Sequence, residues 1–193
     1  MKKNVKNLGL LSVLFSGLLL NLTIFAKDSK QEPKLKAERD PAQMQRRLEK
    51  EVRHELVMLP YYDVFDNLAF KVEGNQVTLL GQVSRPTLKS DAENVVKRIE
   101  GVEKVSNEIE VLPLSSNDGR IRLAVYRAIY SQSALQRYGL RAVPTIHIIV
   151  KNGNVTLEGA VARQMDKQVA EMQAKSVAGV FSVTNNLKVD NGG

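Results

Sequence analysis

The spacing of apolar residues changes along the chain in a fixed order, and each spacing predicts one element of secondary structure. Leu48, Val52 and Leu56 recur every fourth residue among charged neighbours, which predicts an amphipathic helix that ends before Pro60. Alternating apolar residues then predict two strands joined by a turn, followed by a second helix over about residues 87–100 and a last strand. The strand residues are Leu68, Phe70 and Val72, then Val77 and Leu79, and finally Val105, Ile109 and Val111.

The same order of patterns occurs a second time. Val77 recurs as Val155 and Gly101 recurs as Gly179, in both cases 78 positions later, whereas the first helix recurs 73 positions later. The second copy therefore has five extra residues between its first helix and its first strand. Separated motifs at one offset indicate an internal duplication. We predict an α+β fold of two tandem αββαβ domains, each a three-stranded sheet with two helices packed on one face.

The N-terminus has the pattern of an export signal. Three lysines precede an uncharged, leucine-rich stretch over residues 8–25, and we expect cleavage of a signal peptide spanning residues 1–26. About 18 apolar residues are also the lower limit for a membrane span, so an uncleaved anchor is the alternative. Many charges and few apolar residues predict that residues 27–42 form a disordered tether. The two predicted domains occupy residues 43–113 and 118–191.

The repeated motifs resemble those of the BON domain family. The motif Val-x-Leu-x-Gly-x-Val occurs at residues 77–83 and 155–161, and Gly-Val-x-x-Val-x-Asn occurs at residues 101–107 and 179–185. Two copies behind a signal peptide resemble the OsmY-like, periplasmic, phospholipid-binding members of that family. The resemblance implies an αββαβ fold, no catalytic activity, and a role in phospholipid binding or envelope integrity. It carries over no binding residue, because the motif positions are structural glycines and core valines.

The composition argues against catalysis. The chain has no cysteine, and therefore no disulfide and no lipoprotein attachment site, and its only histidines are His54 and His147. We expect His54 on the polar side of the first helix and His147 at the sheet surface, on the strand face opposite Ile146 and Ile148. No zinc spacing, nucleophile arrangement or glycine-rich phosphate loop is present in the sequence. We predict a protein that is not an enzyme and needs no cofactor or metal.

Matched regions of the two copies differ in charge, although both must form the same core. Residues 119–157 contain six bases and no acid, whereas the matched residues 43–81 contain five bases and six acids. On the first helix, the second copy also replaces two bases and a valine with a leucine and two tyrosines. These differences indicate that the second copy has a function that the first copy lacks.

Tyrosine beside arginine is typical of a helix at a membrane interface, where cations reach lipid phosphates. If half of the six bases face one way, their attraction to an anionic surface is roughly 3 kcal/mol, which predicts weak, salt-sensitive binding. The alternative is that the two tyrosines pack under the longer loop and the arginines are solvated. The predicted lipid-binding residues are Arg120, Arg122, Leu123, Tyr126, Arg127, Tyr130 and Arg137.

The second helix of the second copy has an apolar ridge at three positions that are polar in the first copy. Ala170, Ala174 and Val177 already supply the core stripe of this helix. The ridge therefore predicts an interface, either with the first domain or with a partner protein, and a wider core is the alternative. The predicted interface residues are Met165, Val169 and Met172.

These observations favour an exported, non-enzymatic envelope protein that binds anionic phospholipid membrane surfaces through its second domain and supports envelope integrity or stress tolerance. The alternative function is a protein–protein interaction module that docks an envelope assembly without lipid. Nucleic-acid binding fits the arginine cluster, but the export signal and the lack of an exposed aromatic series argue against it. We expect a periplasmic location, with extracellular or membrane-anchored locations as alternatives.

Overall fold

A computed structural model describes residues 40–190, which form two consecutive copies of one fold. Domain 1 consists of α1 (Pro41–Val57), β1 (Asn67–Glu73), β2 (Gln76–Val83), α2 (Pro86–Lys97), β3 (Lys104–Asn107) and β4 (Glu110–Val111). Domain 2 consists of α3 (Ser116–Tyr130), a 3-10 helix (Gln136–Gly139), β5 (Ile146–Lys151), β6 (Asn154–Val161), α4 (Gln164–Lys175), β7 (Ser182–Asn185) and β8 (Lys188–Val189). The predicted tandem αββαβ architecture is confirmed. The predicted signal peptide and most of the predicted tether lie outside the described residues.

Both domains begin with a capped helix. The Asp40 carboxylate accepts a hydrogen bond from the Ala42 N–H at 3.0 Å, and Pro41 fits the first turn because its missing N–H is not needed there. Helix α1 thus begins two residues before the predicted start of domain 1 at residue 43. At the start of α3, the Ser115 hydroxyl accepts from the Asp118 N–H at 3.2 Å.

In each sheet the second strand is central. β2 pairs antiparallel with β1 and parallel with β3 and β4. The pair Gln76–Lys104 in β3 and the pair Gln82–Glu110 in β4 have the same separation of 28 positions, so β3 and β4 are two segments of the single last strand that the sequence predicts. β7 and β8 repeat this arrangement on β6.

An asparagine explains why the last strand is interrupted. The Asn107 side chain donates to the Lys89 carbonyl on α2 at 2.9 Å and accepts from the Ile109 N–H at 3.3 Å. Asn185 makes the matching bonds to Lys167 and Leu187 in domain 2. The asparagine of the repeated Gly-Val-x-x-Val-x-Asn motif therefore ties the last strand to the second helix of its domain.

The glycine of the other repeated motif permits close approach of two strands. Gly81 has φ of 109°, and a Cβ built there would lie 2.0 Å from the Asn67 carbonyl oxygen. Gly159 has φ of 108° and the same 2.0 Å clash with the Thr145 carbonyl oxygen. A side chain fits neither the positive φ nor the available space, so the glycine is a requirement of the hairpin.

The helices of each domain pack on one face of its sheet and enclose a separate core. The core of domain 2 contains one residue from domain 1, Val64. The main buried residues of domain 1 are Leu48, Val52, Leu56, Val77, Leu79, Val83, Leu88, Ala92, Val96 and Ile109, and those of domain 2 are Ile121, Val125, Ile129, Leu135, Ile146, Ile148, Val150, Val155, Leu157, Val161, Ala170, Ala174 and Leu187.

The loop between α1 and β1 docks domain 1 onto domain 2. The Ile148 N–H of β5 donates to the Val64 carbonyl at 2.8 Å, and the Val64 side chain is buried in the core of domain 2. The Phe65 ring packs edge-on against Tyr126 of α3 with ring centroids 6.1 Å apart. The loop of residues 58–66 therefore joins the domains.

The prediction that His147 lies at the sheet surface is wrong. Its side chain is only 8% exposed, because the outer face of β5 is covered rather than solvated. The ring stacks on Tyr62 of domain 1, with centroids 5.5 Å apart and an interplanar angle of 13°. Further along the same strand face, Lys151 forms an ion pair with Glu110 of domain 1. His54, in contrast, is exposed on α1, as expected.

Candidate functional site

The outer face of α3 presents a basic ridge with a central leucine. With 3.6 residues per turn, Arg120, Leu123 and Arg127 lie on the side of α3 opposite its buried stripe. Leu123 is 49% exposed, and both arginines are exposed. Among the described residues, the Arg120 side chain hydrogen-bonds only to Asn117, one turn away, and the Arg127 side chain has no hydrogen-bond or ion-pair partner. The ridge can therefore approach an anionic surface without breaking contacts elsewhere in the protein.

Two other arginines in the predicted lipid-binding set have partners inside the protein. Arg122 is half-buried and donates to the Val150 carbonyl at 2.9 Å, and burial lowers the pKa of its guanidinium. Arg137 forms an ion pair with the buried Asp166 at 2.6 Å and also donates to the Tyr138 hydroxyl. Both arginines are therefore bonded to groups of domain 2, and neither is part of the outer ridge.

The hydroxyl of Tyr138 completes the network around Asp166. It donates to the Asp166 carboxylate at 2.6 Å and accepts from the Ala162 N–H at 2.8 Å. In domain 1, the Asp66 carboxylate satisfies the matching backbone group by accepting from the Ser84 N–H at 2.6 Å. Arg137 therefore belongs to a structural arrangement that the charge pattern alone did not reveal.

Both predicted membrane tyrosines are used for packing. Tyr126 lies between Phe65 and Tyr130, whose ring centroid is 4.9 Å away. The Tyr130 hydroxyl donates to the Ile146 carbonyl at 2.8 Å, and its ring packs beneath Gly139 in the longer loop. The structure therefore brings the two tyrosines together beside the ridge, where they position α3 instead of extending from it.

The α4 ridge is only partly exposed. Met165 and Met172 are 63% and 59% exposed, whereas Val169 packs against the core of domain 2. The two methionines lie seven positions apart, two turns along one side of α4. They form an apolar surface on the helix next to α3, away from the loop that docks the two domains.

Two features were missed in the sequence. Ile149 replaces Lys71 of the first copy and is only 4% exposed, so β5 has a buried apolar residue on its outer face as well, which indicates a strand covered on both sides. Leu140 is 84% exposed and stands between Leu135 and Arg141 in the longer loop, next to the Gly139 that packs on Tyr130. It adds an exposed apolar residue near the C-terminal end of α3.

Neither a metal site nor a membrane-spanning helix is found in residues 40–190. No group of three or more metal-ligating side chains comes together in this range. None of its helices is long and apolar enough to cross a membrane.

The fold and the repeated motifs define a tandem protein of two small α/β domains. The model of the BON domain matches residues 45–113 and 117–191, and the chain belongs to the BON domain family. The resemblance to this family is thereby confirmed.

Similarity to individual proteins is more limited. The chain is 33% identical over 125 residues to Osmotically-inducible protein Y of Escherichia coli (strain K12). The matched region covers 63% of this chain and 61% of the relative, so the chain spans less than two thirds of the relative's length. Among solved structures, it is similar to CdsD, a structural protein of the Type III secretion system of Chlamydia trachomatis, with 14% identity, a TM-score of 0.29, and coverage of 75% of this chain and 92% of that one. The C-terminal domain of CdsD gives 12% identity and a TM-score of 0.26, covering 73% of this chain and 96% of that one.

Proposed function

We propose that the protein is an exported, non-enzymatic envelope protein that binds anionic phospholipid surfaces through the outer ridge of α3. The observation that carries the proposal is the exposed triplet Arg120, Leu123 and Arg127, which lies within a stretch of 39 residues, 119–157, without any acid. Arg122, Tyr126, Tyr130 and Arg137 hold α3 and the adjoining loop in position. The family and the osmotically inducible relative support a role in envelope integrity or stress tolerance, with the periplasm as the location.

The expected binding free energy is small, so the membrane contact should be weak and reversible. Two arginines near an anionic bilayer contribute about 2 kcal/mol. Burying the exposed half of one leucine contributes at most about 1 kcal/mol more. An attraction of this size holds the protein reversibly, and salt weakens it because the arginines are exposed and screened. The membrane contact is therefore a docking contact and not an insertion.

Flotation with vesicles tests the proposal. Protein from residue 27 onward is mixed at low salt with phosphatidylcholine vesicles, with or without phosphatidylglycerol. We expect flotation only with the anionic vesicles, and loss of flotation in the variant Arg120→Glu/Arg127→Glu. The matched control is Arg46→Glu/Lys50→Glu, which makes the same charge change at exposed positions of α1. Equal loss in both variants, or flotation with neutral vesicles, contradicts binding through the α3 ridge.

A second function is favoured by the exposed methionines of α4. Two largely exposed, flexible apolar side chains two turns apart are suited to docking on a partner protein of the envelope. A photo-crosslinking residue at position 172 should then give one discrete adduct in intact cells. The same residue in place of Met58, an exposed methionine of domain 1, serves as the control. The same adduct pattern from both positions contradicts a specific α4 interface.

A further inference from the structure

The groove between the first helix and the edge strand is filled in domain 2. There, the Ile148 N–H bonds to the Val64 carbonyl, the Val64 side chain enters the core, and Phe65 packs on Tyr126. Arg122 of α3 is also attracted by the Asp66 carboxylate, which accepts hydrogen bonds from Ser84 within domain 1. The segment Asp63–Asp66, two apolar residues between two acids, thus hydrogen-bonds to the edge of β5 in the way that a peptide binds when it adds to a sheet edge.

The matched groove in domain 1, between α1 and β1, has no such segment. Phe70 of β1 is paired with Leu79 of β2 in the same way that Ile148 of β5 is paired with Leu157 of β6. The Phe70 N–H, like that of Ile148, therefore points away from the neighbouring strand and into the groove. Within residues 40–190, no backbone segment bonds to Phe70 as Val64 bonds to Ile148. The neighbouring edge groups are bonded to side chains, the Leu68 N–H to the Tyr62 hydroxyl and the Val72 carbonyl to Gln45. Domain 1 is therefore open at Phe70, where its repeat is covered.

Two cavities follow this open edge, and Arg53 and Phe70 line both of them. One of about 490 Å³ lies between α1 and β1. The other, of about 360 Å³, lies where the loop before β5 faces domain 1, and it is also lined by Val57 and Arg141. Glu49 and Glu73 also line the first cavity, whereas no acid of residues 40–190 lines the second. Apolar walls and two guanidinium groups are therefore present together in the second cavity.

Buried polar groups in the second cavity lack partners. The Nδ1 atom of His147 and the Oγ1 atom of Thr145 are buried and have no hydrogen-bond partner among the described residues. Both residues line the cavity, and more than nine-tenths of the His147 side chain is buried. Buried polar groups without partners are uncommon and cost free energy. A polypeptide backbone bound in the cavity offers hydrogen-bonding groups to both.

We propose that the α1–β1 groove of domain 1 binds an extended segment of a partner protein with the chemistry that Asp63–Asp66 presents to domain 2. Val57 and Phe70 contact the apolar side chains of that segment, and Arg53 and Arg141 pair with its acids. The backbone of the segment bonds to the open edge of β1. This binding site goes beyond the membrane contact, because it uses another domain and another class of ligand.

Peptide titration followed by amide NMR tests the proposal on the chain from residue 27 onward. The probe is acetyl-Asp-Val-Phe-Asp-amide, and its control replaces the two apolar residues with serine. We expect saturable shifts of the Phe70 amide with the probe and none with the control. Val57→Glu should weaken binding roughly tenfold, since it removes one buried apolar contact. Leu114→Glu, at a fully exposed position outside the groove, should leave binding unchanged.

Three results would overturn the proposal. The first is the absence of any amide shift at millimolar probe. The second is a shift of the Ile148 amide without one at Phe70, because the peptide then competes for domain 2. The third is equal binding of the serine control. Decanoate is titrated in parallel, and shifts at Phe70 with decanoate but not with the peptide would also contradict a peptide groove.

Discussion

The ring of Tyr62 stacks on the ring of His147, 5.5 Å from centroid to centroid, and this pair joins a loop of domain 1 to the outer face of the domain 2 sheet. Burial determines the protonation of both side chains. It raises the pKa of Tyr62 to about 12 and lowers the pKa of His147 below its ordinary value. Both rings are therefore neutral near pH 7, and the contact between the domains includes an imidazole that resists protonation.

This contact should weaken in acid. The unfolded chain takes up a proton on His147 near the ordinary histidine pKa of about 6.5, whereas the folded protein takes it up only at lower pH. Because the unfolded state then binds more protons, the free energy of unfolding falls as the pH drops from 7 to 5. Thermal unfolding of wild type and His147→Phe at these two pH values measures the effect, and the variant should lose part of the pH dependence.

The chain offers a matched control for the pH experiment. His54 is the only other histidine and is exposed on α1, so His54→Gln shows what the loss of an exposed imidazole does to the same measurement. Asp66 has the opposite effect on the pH dependence of stability. Burial raises the pKa of its carboxyl group, so its contribution to the free energy of unfolding is lost as the pH rises. Asp66 is the same in every variant, so comparison of the variants isolates His147. An unchanged pH dependence in His147→Phe contradicts a buried, neutral imidazole.

A domain 1 side chain should stabilise domain 2. Val64→Ala removes two buried methyl groups from the domain 2 core, at a cost of about 2 kcal/mol. Hydrogen exchange of the Ile148 amide, which is bonded to Val64, should become faster in the variant. Val57→Ala, at a half-exposed position of the same chain region, should change stability by less than about 0.5 kcal/mol. Equal effects of the two substitutions would mean that the loop does not dock as described.

Two glycines of domain 2 should respond to alanine in opposite directions. Gly159→Ala meets both a positive φ and a carbonyl at 2.0 Å, so domain 2 must distort or fail to fold. Gly119→Ala meets no atom within 4 Å and lies in α3, where alanine should stabilise the helix by about 0.5–1 kcal/mol. Circular dichroism and thermal unfolding distinguish the outcomes, and a well-folded Gly159→Ala variant is the contrary result.

Arginines of domain 2 should separate into structural and membrane-facing groups. Arg137→Gln removes a partly exposed ion pair to Asp166 and should lower the melting temperature while flotation is retained. Arg127→Gln should reduce flotation with anionic vesicles and leave the melting temperature unchanged, because Arg127 has no partner among the described residues. If both substitutions reduce flotation equally, the ridge does not define the contact.

The fold could be predicted from the sequence because each copy repeats its local signals. Alternating Val77, Leu79 and Gly81 and the stop at Gly101 have the same meaning wherever they occur, and their recurrence 78 positions later shows that they belong to one unit. Hydrogen bonds between neighbouring elements and a single hydrophobic core then determine the fold of each domain. The interruption at Asn107 was not predicted, because a side chain that bonds to another helix leaves no periodic pattern.

The site could be predicted less well, because contacts between domains depend on surfaces far apart in the chain. The charge pattern singled out α3 as a basic helix, but it could not show that Arg137 pairs with Asp166 or that Arg122 bonds to β5. The burial of Val64 in the core of domain 2 could be recognised only from the three-dimensional structure. Ile149 was the available signal: an apolar residue on the outer face of β5, where the first copy has Lys71, indicates that something covers that face.

The most direct test of membrane binding uses the absence of cysteine from the chain. A single cysteine replaces Leu123 and carries an environment-sensitive fluorophore, and a second protein carries it in place of Leu114, an exposed leucine outside domain 2. On phosphatidylglycerol vesicles with spin-labelled lipid, the account predicts quenching at position 123, little at position 114, and reversal by high salt. Quenching at position 114 alone, or at neither position, would contradict a membrane contact through α3.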